Sequence, residues 1–212
     1  RFIKDEDITL FSPHEVPGLY EAFGMPEFDE MYEKYERKTS ISKHKVRAQT
    51  LFMDLLKERA ETGRIYIMNI DHCNTHSSFK DKVYMSNLCQ EITLPTKPIK
   101  HIDDPDGEIA LCILSAINLG LIKDKEDLED LCDLSVRGLE EIIDYQEYPV
   151  EAAKKSTEAR RSLGIGYIGL AHYLAKNKVK YDDKQAWKLV DEITEAFQYY
   201  LLKASNTLAK ER

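Results

Sequence analysis

The feature that most limits how this chain can fold lies near its end. Ala186, Leu189, Val190, Ile193, Phe197, Tyr200, Leu201, Ala204 and Leu208 recur at helical spacing and make one continuous stripe. A stripe of that length belongs to a long helix that buries one side against another layer. Residues 108–119 add a second constraint, since they are nearly all apolar, as a strand buried on both faces would be. Helical patterns and short apolar segments alternate through the rest of the chain. The expected class is therefore α/β and helix-rich. The strands are few for 212 residues, which suits part of a barrel or sheet better than a complete one.

Prolines, glycines and capping residues punctuate the pattern. Ser12 before Pro13 is a helix-start signal, Pro17 allows a short helix to about Phe23, and Pro26 opens another with Phe28, Met31, Tyr32 and Tyr35 on one face. Ser42 is expected to cap a longer helix whose apolar residues are Val46, Leu51, Phe52, Leu55 and Leu56, closed by Gly63. Residues 64–70 alternate and carry β-branched side chains, so they read as a strand. Residues 71–85 read as a long polar loop, a kind of segment that is often functional. A short strand is expected at 91–94, ended by Pro95 and Pro98. A turn-rich link follows through Asp103, Asp104, Pro105, Asp106 and Gly107. Asp124 caps a helix with Leu128, Leu131, Ser135, Leu139 and Ile142 on one side. Residues 151–161 form a polar helix, and residues 163–170 read as a strand turning into a helix.

Composition excludes several functions. No apolar run approaches the roughly 18 residues of a membrane helix. A net charge of −8 offers no broad basic surface for nucleic acid and suits a cytoplasmic protein. The chain starts at Arg1 without a Met or a signal pattern and ends on Lys210, Glu211 and Arg212. Both ends read as cuts through a longer protein or as the boundaries of a split subunit. The four cysteines, Cys73, Cys89, Cys112 and Cys132, show no CxxC spacing, so neither a zinc ribbon nor a thioredoxin-type motif is expected. Each reads first as a buried thiol.

The segment Ser86-Asn87-Leu88-Cys89-Gln90-Glu91 carries the most chemistry. In an extended segment Asn87, Cys89 and Glu91 would share a face. An amide that can bond a hydroxyl, a thiol and a carboxylate base would then stand together. The plainer alternative is an edge strand with a buried cysteine between polar residues. Three rival motifs are present. His72, Cys73 and His76, with Cys89 as a fourth, could hold zinc, although the spacing fits no common zinc motif. Cys89 with His72 or His76 could form a thiol-hydrolase pair, but no oxyanion-hole signal accompanies it. Gly164, Gly166 and Gly169 satisfy GxGxxG, yet Arg160 and Arg161 stand where the dinucleotide motif needs a strand, and close backbone packing is the better reading. Tyr199 and Tyr200 read as core residues of the final stripe.

Ser86-Asn87-Leu88-Cys89-Gln90-Glu91-Ile92 resembles the active-site finger loop of class I ribonucleotide reductases, close to the class Ia form. The resemblance continues through Arg64-Ile65-Tyr66-Ile67, Asn69 to His76, Leu94-Pro95-Thr96-Lys97-Pro98, Gly107 to Cys112, Leu114-Ser115-Ala116 and Asn118-Leu119-Gly120. It extends through Asp144-Tyr145-Gln146, Tyr148-Pro149, Arg160 to Gly166, and Tyr199 to Ser205. It implies that residues 1–212 are one segment of the family's ten-stranded α/β barrel with its central finger loop: mostly helical at 1–63 and 123–212, with strands and finger between. It also implies roles. Cys89 becomes the thiyl radical, Glu91 takes the 3′-hydroxyl proton, and Asn87 binds the substrate hydroxyls. Cys112 is one of two redox thiols. The family's partner for Cys112 lies upstream, where no cysteine occurs here, and Cys73 and Cys132 read as structural. The implied substrate is a ribonucleoside diphosphate. The implied partners are the rest of the large subunit, a metal-containing small subunit that supplies the radical, and thioredoxin or glutaredoxin. No cofactor, metal or allosteric nucleotide site is expected in this segment, and the isolated chain is expected to be inactive.

Overall fold

The computed structural model describes residues 1–212, the side chain of Lys125 excepted. The chain divides into two units, Arg1–Thr96 and Lys97–Arg212.

In the first unit, strand β1 (Asp7–Phe11) is followed by a 3₁₀ turn at Pro13–Glu15 and helix α1 (Glu27–Arg37). Strand β2 (Lys43–Arg47), helix α2 (Ala48–Thr62) and the short helix α3 (Ile70–Thr75) come next. The two strands pair antiparallel, with Asp7 opposite Arg47 and Phe11 opposite Lys43. Helix α1 locks onto β1 through its expected aromatic face. The Thr9 amide donates to the Tyr32 hydroxyl at 2.6 Å, which in turn donates to the Thr9 carbonyl at 2.8 Å. The Thr9 hydroxyl donates to Glu36 at 2.6 Å, and Phe11 meets the Tyr32 ring edge-on.

Three expectations change here. The helix foreseen from Ser42 begins at Ala48, because the residues before it are drawn into a strand by β1, far away in sequence. No strand forms at 64–69 and Ile70 opens α3, so the alternation there lacks a partner edge. The long polar loop is correspondingly shorter. Gly63 does close α2, as expected, with φ +66° and its N–H bonded to the Arg59 carbonyl at 2.9 Å.

The second unit holds β3 (Ile113–Asn118), a 3₁₀ turn at Leu119–Leu121, α4 (Lys125–Tyr145), α5 (Glu151–Arg160), β4 (Leu163–Ile168), α6 (Leu170–Lys176) and α7 (Lys184–Glu211). Strands β3 and β4 pair in parallel, Ile113 beside Leu163, so α4 and α5 form the crossover that parallel pairing requires. Ile117, Leu119, Ile122, Leu128, Cys132 and Phe197 make the core, with Ile165, Tyr167, Ile193, Tyr200 and Leu201 packed on it. Each large apolar side chain removed from water in this way contributes roughly 1.5–3 kcal/mol. The α7 stripe is thus the hub of the unit. Tyr200 lies on it as expected, whereas Tyr199 is largely exposed.

Helix α4 is rotated from the expected face. Leu128, Cys132, Val136, Leu139 and Ile143 point inward, and Ile142 is 44% exposed. The strand expected across 108–119 is confined to β3, and only its odd-numbered face meets the helices. Leu114 and Ile168 on the opposite face are 58% and 56% exposed. No strand forms at 91–94; the chain instead makes a single bridge from Lys97 to Glu108. Among the described residues the architecture is helix-rich with two two-stranded sheets and no closed barrel. No helix among them is long and apolar enough to cross a membrane.

Candidate active site

The finger segment is a turn, not a strand. The Gln90 N–H reaches back to the Asn87 carbonyl at 3.1 Å, and Gln90 takes a left-handed φ of +60°. Strand alternation therefore does not place Asn87, Cys89 and Glu91 on one face, and that expectation is corrected. Instead, hydrogen bonds among Ser86, Asn87 and Ile92 tie the two ends of the loop to each other. The Ile92 N–H donates to Asn87 Oδ1 at 3.1 Å. The Ser86 hydroxyl lies 2.6 Å from the Ile92 carbonyl and 3.2 Å from Asn87 Oδ1. The loop is closed on itself, with Leu88, 86% exposed, and the exposed Cys89 at its tip. Glu91 is exposed on the descending side and Asn87 is half-buried at the base.

This geometry assigns the two ends of the Asn87 amide. Its oxygen is occupied as an acceptor within the loop, so its nitrogen, with two N–H donors, is the end that can meet a ligand hydroxyl. Asn74 steadies the approach to the finger. Its amide nitrogen donates to the Ile70 and Val83 carbonyls at 2.9 Å each, and the Val83 N–H donates to its oxygen at 2.8 Å. Val83 itself is fully buried. The sequence places Asn74 in a polar loop and within the family-like segment Asn69 to His76, with no role of its own. The one signal it left was an amide following an apolar helix residue at i+4, as in Ile70 and Asn74.

In the second unit, half-buried Cys112 immediately precedes β3. The base of its strand is tied down by charge. Glu108 meets Lys97 at 2.7 Å and Arg160 at 2.5 Å, and both Glu108 and Arg160 are nearly enclosed. Burial alone would raise the Glu108 carboxyl, but the adjacent cations outweigh it and hold it below the ordinary carboxylate value. Arg161, left-handed at φ +46° at the end of α5, turns the other way onto Glu140 and Asp144 of α4. The arginine doublet thus pins the start of β4 both to the Cys112 segment and to the crossover helix. Sequence reading missed this role; its signal was two adjacent arginines before a glycine-rich strand.

The rival motifs fare differently. His72 and His76 stack edge-to-face on α3 with centroids 6.1 Å apart, and His76 Nδ1 lies 3.2 Å from the His72 carbonyl. Among the described residues no group of three His, Cys, Asp or Glu is placed to hold a metal ion. Two of the three glycines serve close packing, Gly166 standing in open space: a Cβ on Gly169 would meet Asn118 Oδ1 at 2.4 Å, and one on Gly164 would meet Leu114 at 2.5 Å.

Comparison with known proteins identifies the family. The family model described as ribonucleotide reductase, barrel domain, matches residues 1–212. The chain is 57% identical along its full length to the ribonucleoside-diphosphate reductase subunit alpha of Buchnera aphidicola subsp. Schizaphis graminum, covering 28% of that protein. It is 58% identical to the subunit of the same name from Haemophilus influenzae, again along its full length and covering 29% of that protein. Among solved structures it resembles the Actinobacillus ureae class Id ribonucleotide reductase alpha subunit, with a TM-score of 0.62 and 31% identity. That likeness covers 76% of this chain and 32% of that one. The chain therefore spans less than a third of the length of these relatives, and it belongs to the ribonucleotide reductase barrel-domain family.

Proposed function

We propose that this chain is one segment of the catalytic barrel of a ribonucleoside-diphosphate reductase large subunit, converting ribonucleoside diphosphates to deoxyribonucleoside diphosphates for DNA synthesis. The observation that carries the reading is the self-closed finger, with the Cys89 thiol exposed at its tip, a carboxylate two residues on, and the Asn87 amide turned so that its donors are left for a ligand. A radical from a metal-containing small subunit converts Cys89 to a thiyl, which removes the ribose 3′ hydrogen atom. Glu91 takes the 3′-hydroxyl proton, Asn87 holds the hydroxyls, and the 2′-hydroxyl leaves as water. Cys112 and a second cysteine contributed by the rest of the subunit give up two hydrogens and join as a disulfide. Hydrogen thereby replaces the lost hydroxyl, and the 3′ hydrogen returns from Cys89. Thioredoxin or glutaredoxin then reduces the disulfide. In the complete large subunit with its small subunit, Cys89→Ser is expected to abolish product formation. Glu91→Gln is expected to slow it by about 10²–10⁴-fold, the usual loss on removing a general base. Retention of turnover by Cys89→Ser would exclude the thiyl assignment.

A docking role accompanies this reading. Phe52, Met53, Leu55 and Leu56 of α2 are all exposed, which favours a segment covered by other parts of the subunit.

A further inference from the structure

We infer that Gly164 is a positioning residue for the Cys112 thiol, acting by leaving empty the space into which that thiol leans. The inference rests on the reading of Cys112 as one of the two redox thiols. Side chains on β3 and β4 alternate, and Ile117, Ile165 and Tyr167 face the helices. Cys112, Leu114 and Ala116 therefore share the opposite face with Gly164, Gly166 and Ile168. Leu114 is directly beside Gly164 in register, and Cys112 lies one step back along the same face.

Two glycines on this face behave differently. A Cβ on Gly164 would stand 2.8 Å from Cys112 Sγ and 2.5 Å from Leu114 Cδ2, while a Cβ on Gly166 would meet nothing within 4 Å. Gly164 does not adopt the left-handed backbone that would by itself call for glycine. The space is the reason for the residue, and a thiol and a leucine methyl occupy it. The leucine end is flexible and can swing aside. The sulfur sits one bond from its Cβ, so moving it requires a different rotamer or a shift of the strand. Disulfide closure tolerates only a narrow range of Cβ separations and torsions. A displaced Sγ should therefore slow delivery of the two hydrogens without altering how the nucleotide binds.

The test uses the complete large subunit with its small subunit, with Leu114→Ala present throughout so that crowding of that side chain is removed. Adding Gly164→Ala is expected to lower kcat about 10- to 100-fold, the scale of an ångström misplacement at a reacting centre, and to leave KM for the diphosphate within about twofold. In a single turnover without external reductant, less disulfide should form at Cys112, as read by mass spectrometry. Gly164→Ala should also lower Tm, and adding Cys112→Ala should recover that loss, because the methyl then takes the place of the sulfur. If the Gly164→Ala protein does not fold, restored folding in the version that also carries Cys112→Ala is the expected result, and failure to restore it overturns the inference. Unchanged kcat and disulfide yield in Gly164→Ala, with Cys112→Ser inactive, overturns the positioning role alone. Full turnover by Cys112→Ser overturns the reading of Cys112 on which it rests.

Discussion

At the scale of residues, two cysteines illustrate how environment divides one side-chain chemistry into two. Cys132 lies fully buried on α4, and burial, with the nearby Glu129 charge, pushes its thiol up from 9.0 to about 11. It stays protonated at neutral pH and is inert to electrophiles. Cys89 is exposed at the tip of the finger. Native alkylation near neutral pH is expected to label Cys89 and to spare Cys132 until the chain unfolds; rapid labelling of Cys132 in the folded protein would contradict its burial. The same shift has a stability consequence. The folded thiol holds its proton more tightly than the unfolded one, so this contribution is complete below about pH 9 and is lost as pH rises towards about 11. Denaturation of wild type against Cys132→Ala across that window should show the steeper loss in wild type. A structural role for Cys132 was legible in the sequence. The arrangement of Asn87, Cys89 and Glu91 was not, because it depends on one left-handed residue, Gln90, and on a side-chain bond across the loop.

At the scale of elements, helices were easier to foresee than strands. Capping is local: the Asp124 carboxylate accepts from the Asp127 N–H at 2.8 Å, three residues away. Asp124→Ala is expected to cost about 1 kcal/mol, read as a fall in Tm of roughly 2–4 °C for a chain of this size. A thermal melt that does not move would show that α4 is held by packing alone. Strands, by contrast, need an edge supplied from elsewhere. Residues 64–69 had the alternation and remained unpaired, while Lys43–Arg47, foreseen as helix, found β1. The ion pairs between elements were equally invisible. Glu108 and Arg160 are widely separated in sequence, and only the turn of the chain before β3 and after α5 brings them within 2.5 Å.

At the scale of the whole molecule, the apolar surface left open describes how this chain behaves on its own. Leu114 and Ile168 on the sheet face, and Phe52, Met53, Leu55 and Leu56 on α2, are all solvent-exposed. The isolated chain is expected to bind an apolar-surface fluorescent dye, to self-associate with rising concentration, and to show no reductase turnover. A monodisperse, dye-negative monomer in light-scattering and fluorescence measurements would contradict this. What the sequence determined unaided was the helical punctuation and the long α7 stripe, both set by local periodicity and capping. What only the tertiary structure decided was which segments pair as strands, which way the Asn87 amide turns, and that the Cys112 sulfur fills the space beside Gly164. Those outcomes depend on contacts between residues far apart in the chain, and a local pattern carries no information about the partner it will meet.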